Sequence, residues 1–452
     1  MFLTANSKRD PLKAITQHPL TSAFRSSHSS DANKLYGFLR NILFLFAALA
    51  LVSNLAHAQQ QLSPTENTGG ALGDGFTNDT IALQSVLKSN RTIVLGHNKT
   101  YRITSRLNIT HNGTGIVGDG TATLLMGTEP GEFDNSSPDE GVRYGINAIG
   151  LFADGVNGPV IKGVKIRYEK VIDDRSVKAI VFRNCKNFRI VGNNISNFSK
   201  ARGIVYIGNS RNGIIGGNEI HSSATNSVTF GQITGIELDS DDPGSVGIDI
   251  IGNYIHDLTV GEDFLKKFNY QTDGINTTIA SYDVAILNNV IENVGEGIDT
   301  FSRNGLISGN RISNAYAYGI KLTHGASNNV VTNNTIMDSG FGGITLEGTN
   351  AVARNITDNY IAHNQIIGVN TLHDHDTNST FGITIRQGRG TTYLSRRNVI
   401  ESNFVALGGT ALFGITAEVN SGTLNHVLRN TVSGWLRVAY DLDHVVVPNF
   451  VP

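Results

Sequence analysis

Asp299, Lys321 and Glu347 each fall two or four residues after the glycine of successive Gly-Ile-x-x segments. Side chains alternate along an extended strand. With the isoleucine facing inward, positions two and four after the glycine face outward. The outward pairs are Glu237 and Asp239, Asn276 and Thr278, Asp299 and Phe301, Lys321 and Thr323, Thr345 and Glu347, Thr384 and Arg386, then Thr416 and Glu418. Asp273 and Glu296 stand just before the glycine, and Arg303 and His324 just past the strand. A lysine in a low-polarity cleft can lose its proton near neutral pH, so Lys321 is the candidate general base. His324 is its rival, with an ordinary pKa already near neutrality. Arg303 and Arg386 are suited to holding a carboxylate, and Tyr270, Tyr318 or His324 to moving a proton. Glu237, Asp239 and Asp273, with Asp299, offer the hard oxygens that a calcium ion takes, and calcium is the one cofactor expected. The competing structural reading is a solvated face whose alternating charges pair across strands for small gains.

These residues need a frame that repeats. Asn-x-Ile/Val recurs at Asn193, Asn218, Asn253, Asn289, Asn310, Asn334, Asn359, Asn398 and Asn430, at intervals of 21 to 39 residues. Gly-Ile recurs between them, at Gly203, Gly235, Gly274, Gly297, Gly319, Gly343, Gly382 and Gly414. The shorter periods cannot hold a helix–turn–helix pair, but fit three short strands and their turns. The reading is an all-β chain, a parallel β-helix of about ten coils stacked roughly 4.8 Å apart. The asparagines are expected to form an internal ladder. Three longer periods are expected to hold insertions, at 222–232, 257–272 and 363–380. The second includes Lys266, Lys267 and Tyr270, and the third His373 and His375. Both are expected to wall the ribbon into a cleft. Asn276, Asp299, Glu347, Lys266, Lys267, His373 and His375 are the expected substrate-binding residues. For the His-Asp-His-Asp run at 373–376, a hydrophilic loop tip is preferred over a metal site.

Composition sets limits. Only 16% of the 452 residues are charged, glycine takes 50 positions, and Cys185 is the single cysteine. A disulfide scaffold and a cysteine-rich metal site are thereby excluded. A formal charge of −2 and the lack of basic runs argue against a nucleic-acid partner. Residues 41–58 follow Arg40 with an apolar core at 42–52 and end Ala-His-Ala. This is the layout of a secretory signal. The expected division is a signal segment at 1–58 with a long leading region, an N-terminal cap with first strands at 59–125, and coils at 126–452. Export to the periplasm or medium, no membrane attachment after cleavage, and a monomeric state are expected.

Residues 73–80 read Gly-Asp-Gly-Phe-Thr-Asn-Asp-Thr. This resembles the N-terminal cap of the pectin-lyase-like superfamily, Gly-Asp-Gly-x-x-Asp-Asp-Thr, with Asn78 in place of the first aspartate of the pair. The resemblance implies a right-handed parallel β-helix with a helical cap. It also implies a substrate groove along one sheet. On the residues, Asp79 and Thr80 are suited to cap a helix at 81–87. Several β-helix lyase families pair a lysyl base with arginines. By that likeness of roles the leading expectation is β-elimination on an acidic, uronic-acid polysaccharide, glucuronan- or alginate-like. Epimerisation at C-5 is weaker, because Tyr318-Gly-Ile-Lys-Leu-Thr-His324 only loosely echoes the alginate-epimerase Tyr-Gly-Phe-Asp-Pro-His motif. Polygalacturonase-like hydrolysis stays open. Thr272-Asp273-Gly274 and His324-Gly325 are partial echoes, and Glu296 and Asp299 fall about where the paired aspartates of that family lie.

Overall fold

The computed structural model describes residues 65–129, 131–133, 147–170, 176–198, 203–222, 233–239, 244–258, 272–348, 354–370, 380–387, 394–408, 411, 413–417, 424–433, 435–438 and 445–446. All lie in one compact unit spanning Thr65–Pro452. The expected signal segment lies outside the described residues, as do Tyr270, Lys266, Lys267, His373, His375 and Glu418.

Isoleucine and valine at every second position make strands, and the turns between them recur, so each coil adds one strand to each of three sheets. Among the described residues these sheets hold 13, 12 and 13 strands, and a further pair forms a small fourth sheet. Pairing between consecutive coils is parallel throughout, as in Asp299↔Lys321 and Lys321↔Thr345. The isoleucines after the repeated glycines form one column, from Ile236 through Ile275, Ile298, Ile320, Ile344 and Ile383 to Ile415, all shut from solvent. Free Cys185 is buried in the same core. Strands from Asp74–Asn78 onward already join the stacks, so there are more coils than the roughly ten legible as repeats.

The asparagine ladder is present, but as two ladders. One runs Asn193, Asn218, Asn253, Asn289, Asn310, Asn334, Asn364, Asn403 and Asn430. The other runs Asn329, Asn359, Asn398 and Asn425. The expected single series crossed from one to the other at Asn359. Both Asn359-Tyr-Ile and Asn364-Gln-Ile satisfy the same motif, on consecutive strands of one coil. In each ladder the amide donates to a carbonyl of the preceding coil and to the next asparagine, as Asn289 does to Ile250 and Asn310.

The helix Thr80–Lys88 buries Leu83, Val86 and Leu87 in the core. Ile81, at its start, is 82% exposed. The capping expected of Asp79 needs correction. The Asp79 carboxylate accepts from the Leu72 and Gly73 amides in the preceding loop and makes no capping bond to the helix. Asn78 accepts from the Thr80 amide instead. Gln84 reaches the edge strand Leu107–Ile109 and satisfies both backbone groups of Asn108.

Candidate functional site

The strands Ile233–Leu238, Thr272–Thr277, Glu296–Thr300, Tyr318–Thr323, Gly342–Gly348 and Phe381–Gln387 lie side by side in the 12-stranded sheet. Strict alternation would send the residue before the repeated glycine to the face opposite the one two after it. The glycine breaks that alternation. A Cβ at Gly274 would meet the Gly297 carbonyl at 2.7 Å, and one at Gly297 would meet the Gly319 carbonyl at 2.4 Å. Backbone this close tolerates only glycine. Around it, residues three apart share the outward face. Asn276 donates to Asp273 at 3.5 Å, and the Lys321 ammonium reaches both Glu296 and Asp299.

That last contact is the centre of the site. Lys321 Nζ lies 3.0 Å from Glu296 Oε2 and 3.4 Å from Asp299 Oδ2, with side-chain exposures of 16%, 3% and 8% for Lys321, Glu296 and Asp299. Burial pushes the Glu296 carboxyl up to about 7; Lys321 opposes this and Asp299 adds to it. Burial likewise raises Asp299 against the pull of Lys321. Asp299 Oδ1 is buried with no hydrogen-bond partner. Burial alone would lower the Lys321 amine, but Asp299, Glu296 and Asp273 outweigh it and hold it well above its ordinary value. The base role expected for Lys321 needs a neutral amine, and these neighbours favour the ammonium. Glu296, by contrast, is poised to give or take a proton near neutral pH.

The other expected residues spread along the same face. Arg386 pairs with Glu347 at 2.6 Å and donates to the Tyr318 hydroxyl at 2.6 Å. Burial raises Tyr318, which stays a phenol. His324 packs against the Phe301 ring at 4.2 Å, and burial, helped by Lys321, lowers its pKa to about 4. Its imidazole is therefore neutral at pH 7, and a weak base. Asp239 accepts from the Tyr206 hydroxyl at 3.0 Å, a contact that sequence reasoning missed. Glu237, Asp239 and Asp273 share the row, but among the described residues no three or more His, Cys, Asp or Glu are grouped to hold a metal ion. Arg303 is elsewhere. It lies in register with Tyr282 and Ser327 beyond the strand ends and lines a different cavity.

Residues 178–366 match a family model described as the right handed beta helix region. The fold is a right-handed parallel β-helix. A comparison with curated protein sequences finds no match. Among solved structures, the chain is similar to PfbA, a surface adhesin of Streptococcus pneumoniae: 16% identity, 82% of this chain and 91% of that chain covered, TM-score 0.56. It is similar to the catalytic domain of a GH87 alpha-1,3-glucanase in complex with nigerose, with 14% identity, coverage of 86% and 68%, and TM-score 0.53. It is also similar to tailspike protein 3 of bacteriophage CBA120, with 10% identity, coverage of 84% and 60%, and TM-score 0.50. At these identities the likeness is one of fold. No helix among the described residues is long and apolar enough to cross a membrane.

Proposed function

We propose that the chain is a carbohydrate-active enzyme that cleaves glycosidic bonds by acid–base catalysis at Glu296 and Asp299. The observation that carries this reading is the pair of buried carboxyls on one ammonium, with Glu296 raised to about 7. Two carboxyls of unequal proton affinity are what glycoside hydrolysis uses: one protonates the leaving oxygen while the other acts as base or nucleophile. Lys321 positions both and limits their mutual repulsion. From Glu237 to Arg386 the row carries six carboxyl groups, Glu237, Asp239, Asp273, Glu296, Asp299 and Glu347, against the cations Lys321 and Arg386. A surplus of negative charge disfavours a polyuronate, so the substrate reading is a neutral polysaccharide.

A second reading, the β-elimination expected from the sequence, draws support from the Arg386–Tyr318 contact, which offers a proton donor beside a carboxylate-binding cation. The fold itself does not choose, since it serves an adhesin as well as a glucanase. Purified protein should be incubated with neutral glucans and with polyuronates, following reducing ends and the ultraviolet absorbance of unsaturated sugars. New reducing ends from a neutral glycan, without unsaturation, are expected. Unsaturated ends would establish elimination instead, and binding without turnover would make the chain an adhesin-like protein.

A further inference from the structure

A second concentration of charge lies beyond the ends of the groove strands. Arg303, Ser327, Thr357 and Arg396 pair in register from coil to coil. At about 4.8 Å per coil the row runs roughly 14 Å, with a guanidinium-bearing residue at each end and two hydroxyl residues between. Arg354 lies against it. Its stem packs on Gly325, where an added Cβ would come within 2.7 Å of Arg354 Cβ and the backbone φ is +92°. Glycine there is what leaves room for the arginine. With Asn355 and Arg397 these residues line a cavity of about 400 Å³, a size typical of ligand sites.

Surface arginines usually find a carboxylate, and Arg397 does, gripping Asp358 through two 2.7 Å bonds. Arg303, Arg354 and Arg396 make no salt bridge among the described residues. The Nε atoms of Arg303 and Arg396 are buried with no hydrogen-bond partner. A buried donor on a charged group is costly to leave unmade. The carbonyl oxygen of Asn355 is occupied by the Leu394 amide, which leaves its NH2 group as its remaining polar face. Asp358, just outside the lining, takes a hydrogen bond from Thr357 and attracts Arg396 as well as Arg397, but the lining itself is rich in donors and holds no carboxylate.

We propose that this cavity binds a tetrahedral oxyanion, sulfate or phosphate, free or as an ester on a sugar. One arginine fork matches a carboxylate's two oxygens and single charge. Three arginines from separate coils, with hydroxyls between them, match more oxygens and a double charge. The site is argued independently of the acidic row and stands whether or not that row cleaves a glycan.

Isothermal titration calorimetry of the full chain tests it, with sodium sulfate, sodium phosphate, sodium acetate and a sulfated monosaccharide as probes at constant ionic strength. Saturable one-to-one binding of sulfate or phosphate is expected, with acetate about tenfold weaker or more. Arg354→Gln and Arg396→Gln should each weaken the dianion about tenfold, the loss of one charged hydrogen-bonding partner. Gly325→Ala keeps every arginine but displaces Arg354, and should weaken binding too; circular dichroism checks that each variant folds. A sulfated sugar that binds more tightly than inorganic sulfate supports an ester ligand, and equal affinity supports the free ion. No saturable binding of either dianion, acetate binding as tightly, or unchanged affinity in both arginine variants would overturn the proposal.

Discussion

Replacing Lys321 by methionine keeps the side chain's length and removes its charge, leaving Glu296 and Asp299 buried without their cation. The two contacts are 3.0 and 3.4 Å long. At an effective dielectric near 20, each is worth roughly 5 kcal/mol of gross attraction. Desolvation absorbs much of that, and removing one partner of a buried pair costs about 3–5 kcal/mol net. Protonation offers the carboxyls an escape, which fixes the pH dependence. Glu296 already stands at about 7 when folded, against an ordinary value of 4.5. A group raised on folding adds stability that is full below its unfolded pKa and disappears as pH rises through its folded one. For Glu296 in the wild type this amounts to about 3 kcal/mol between roughly pH 4.5 and 7. Without Lys321 both carboxyls rise further, so the variant should lose about 3–5 kcal/mol at pH 8 and much less at pH 5. Urea unfolding of both proteins at the two pH values, followed by far-ultraviolet circular dichroism, measures this. An equal loss at pH 5 and pH 8, or wild-type stability at pH 8, would refute the buried triad.

Other consequences are as direct. Asn289→Ala removes an acceptor for the Asn253 backbone and side-chain amides and a donor to Ile250. At about 1–3 kcal/mol per stranded group it should cost roughly 3–5 kcal/mol in urea unfolding, and a loss below about 1 kcal/mol would deny the ladder a structural role. Asp299→Asn removes a charge that raises Glu296, so the Glu296 titration midpoint, read by carbon-13 NMR, should fall below about 7; a rise would contradict the coupling. If residues 1–58 are a signal segment, mass spectrometry of the mature protein should show a first residue at or near Gln59, whereas a mature chain retaining residues 42–52 would mean an anchor.

Much of this architecture can be read from spacing alone. Asparagines and glycines recur because a ladder and a close coil-to-coil approach each demand one residue type at one point of every turn. Two things were hidden. Asn359 and Asn364 carry the same motif on neighbouring strands, so spacing could not separate two ladders, and before Asn193 the described coils carry the motif only at Asn147-Ala-Ile149. Within the site, the outward direction of Asp299, Lys321 and Glu347 follows from alternation, but Glu296 entered only through the polygalacturonase-like alternative and not among the residues expected to bind substrate or act as base. Its place depends on the backbone at Gly297, where residues on both sides of the glycine face outward. A glycine at every repeat, where alternation alone has no need of one, was the available signal. The protonation of Lys321 was also out of reach, because it depends on two carboxyls arriving from different coils.

The most direct test of the central claim is the pH dependence of glycan cleavage by the wild type and by Glu296→Gln, with circular dichroism and glycan binding as controls. The wild type should lose activity above an apparent pKa of about 7, as Glu296 gives up its proton. The variant should fold and bind while turning over at least about 100-fold more slowly, the usual contribution of a positioned acid. Wild-type turnover by Glu296→Gln on a glycan that the native protein cleaves would remove Glu296 from the chemistry and with it the proposed site.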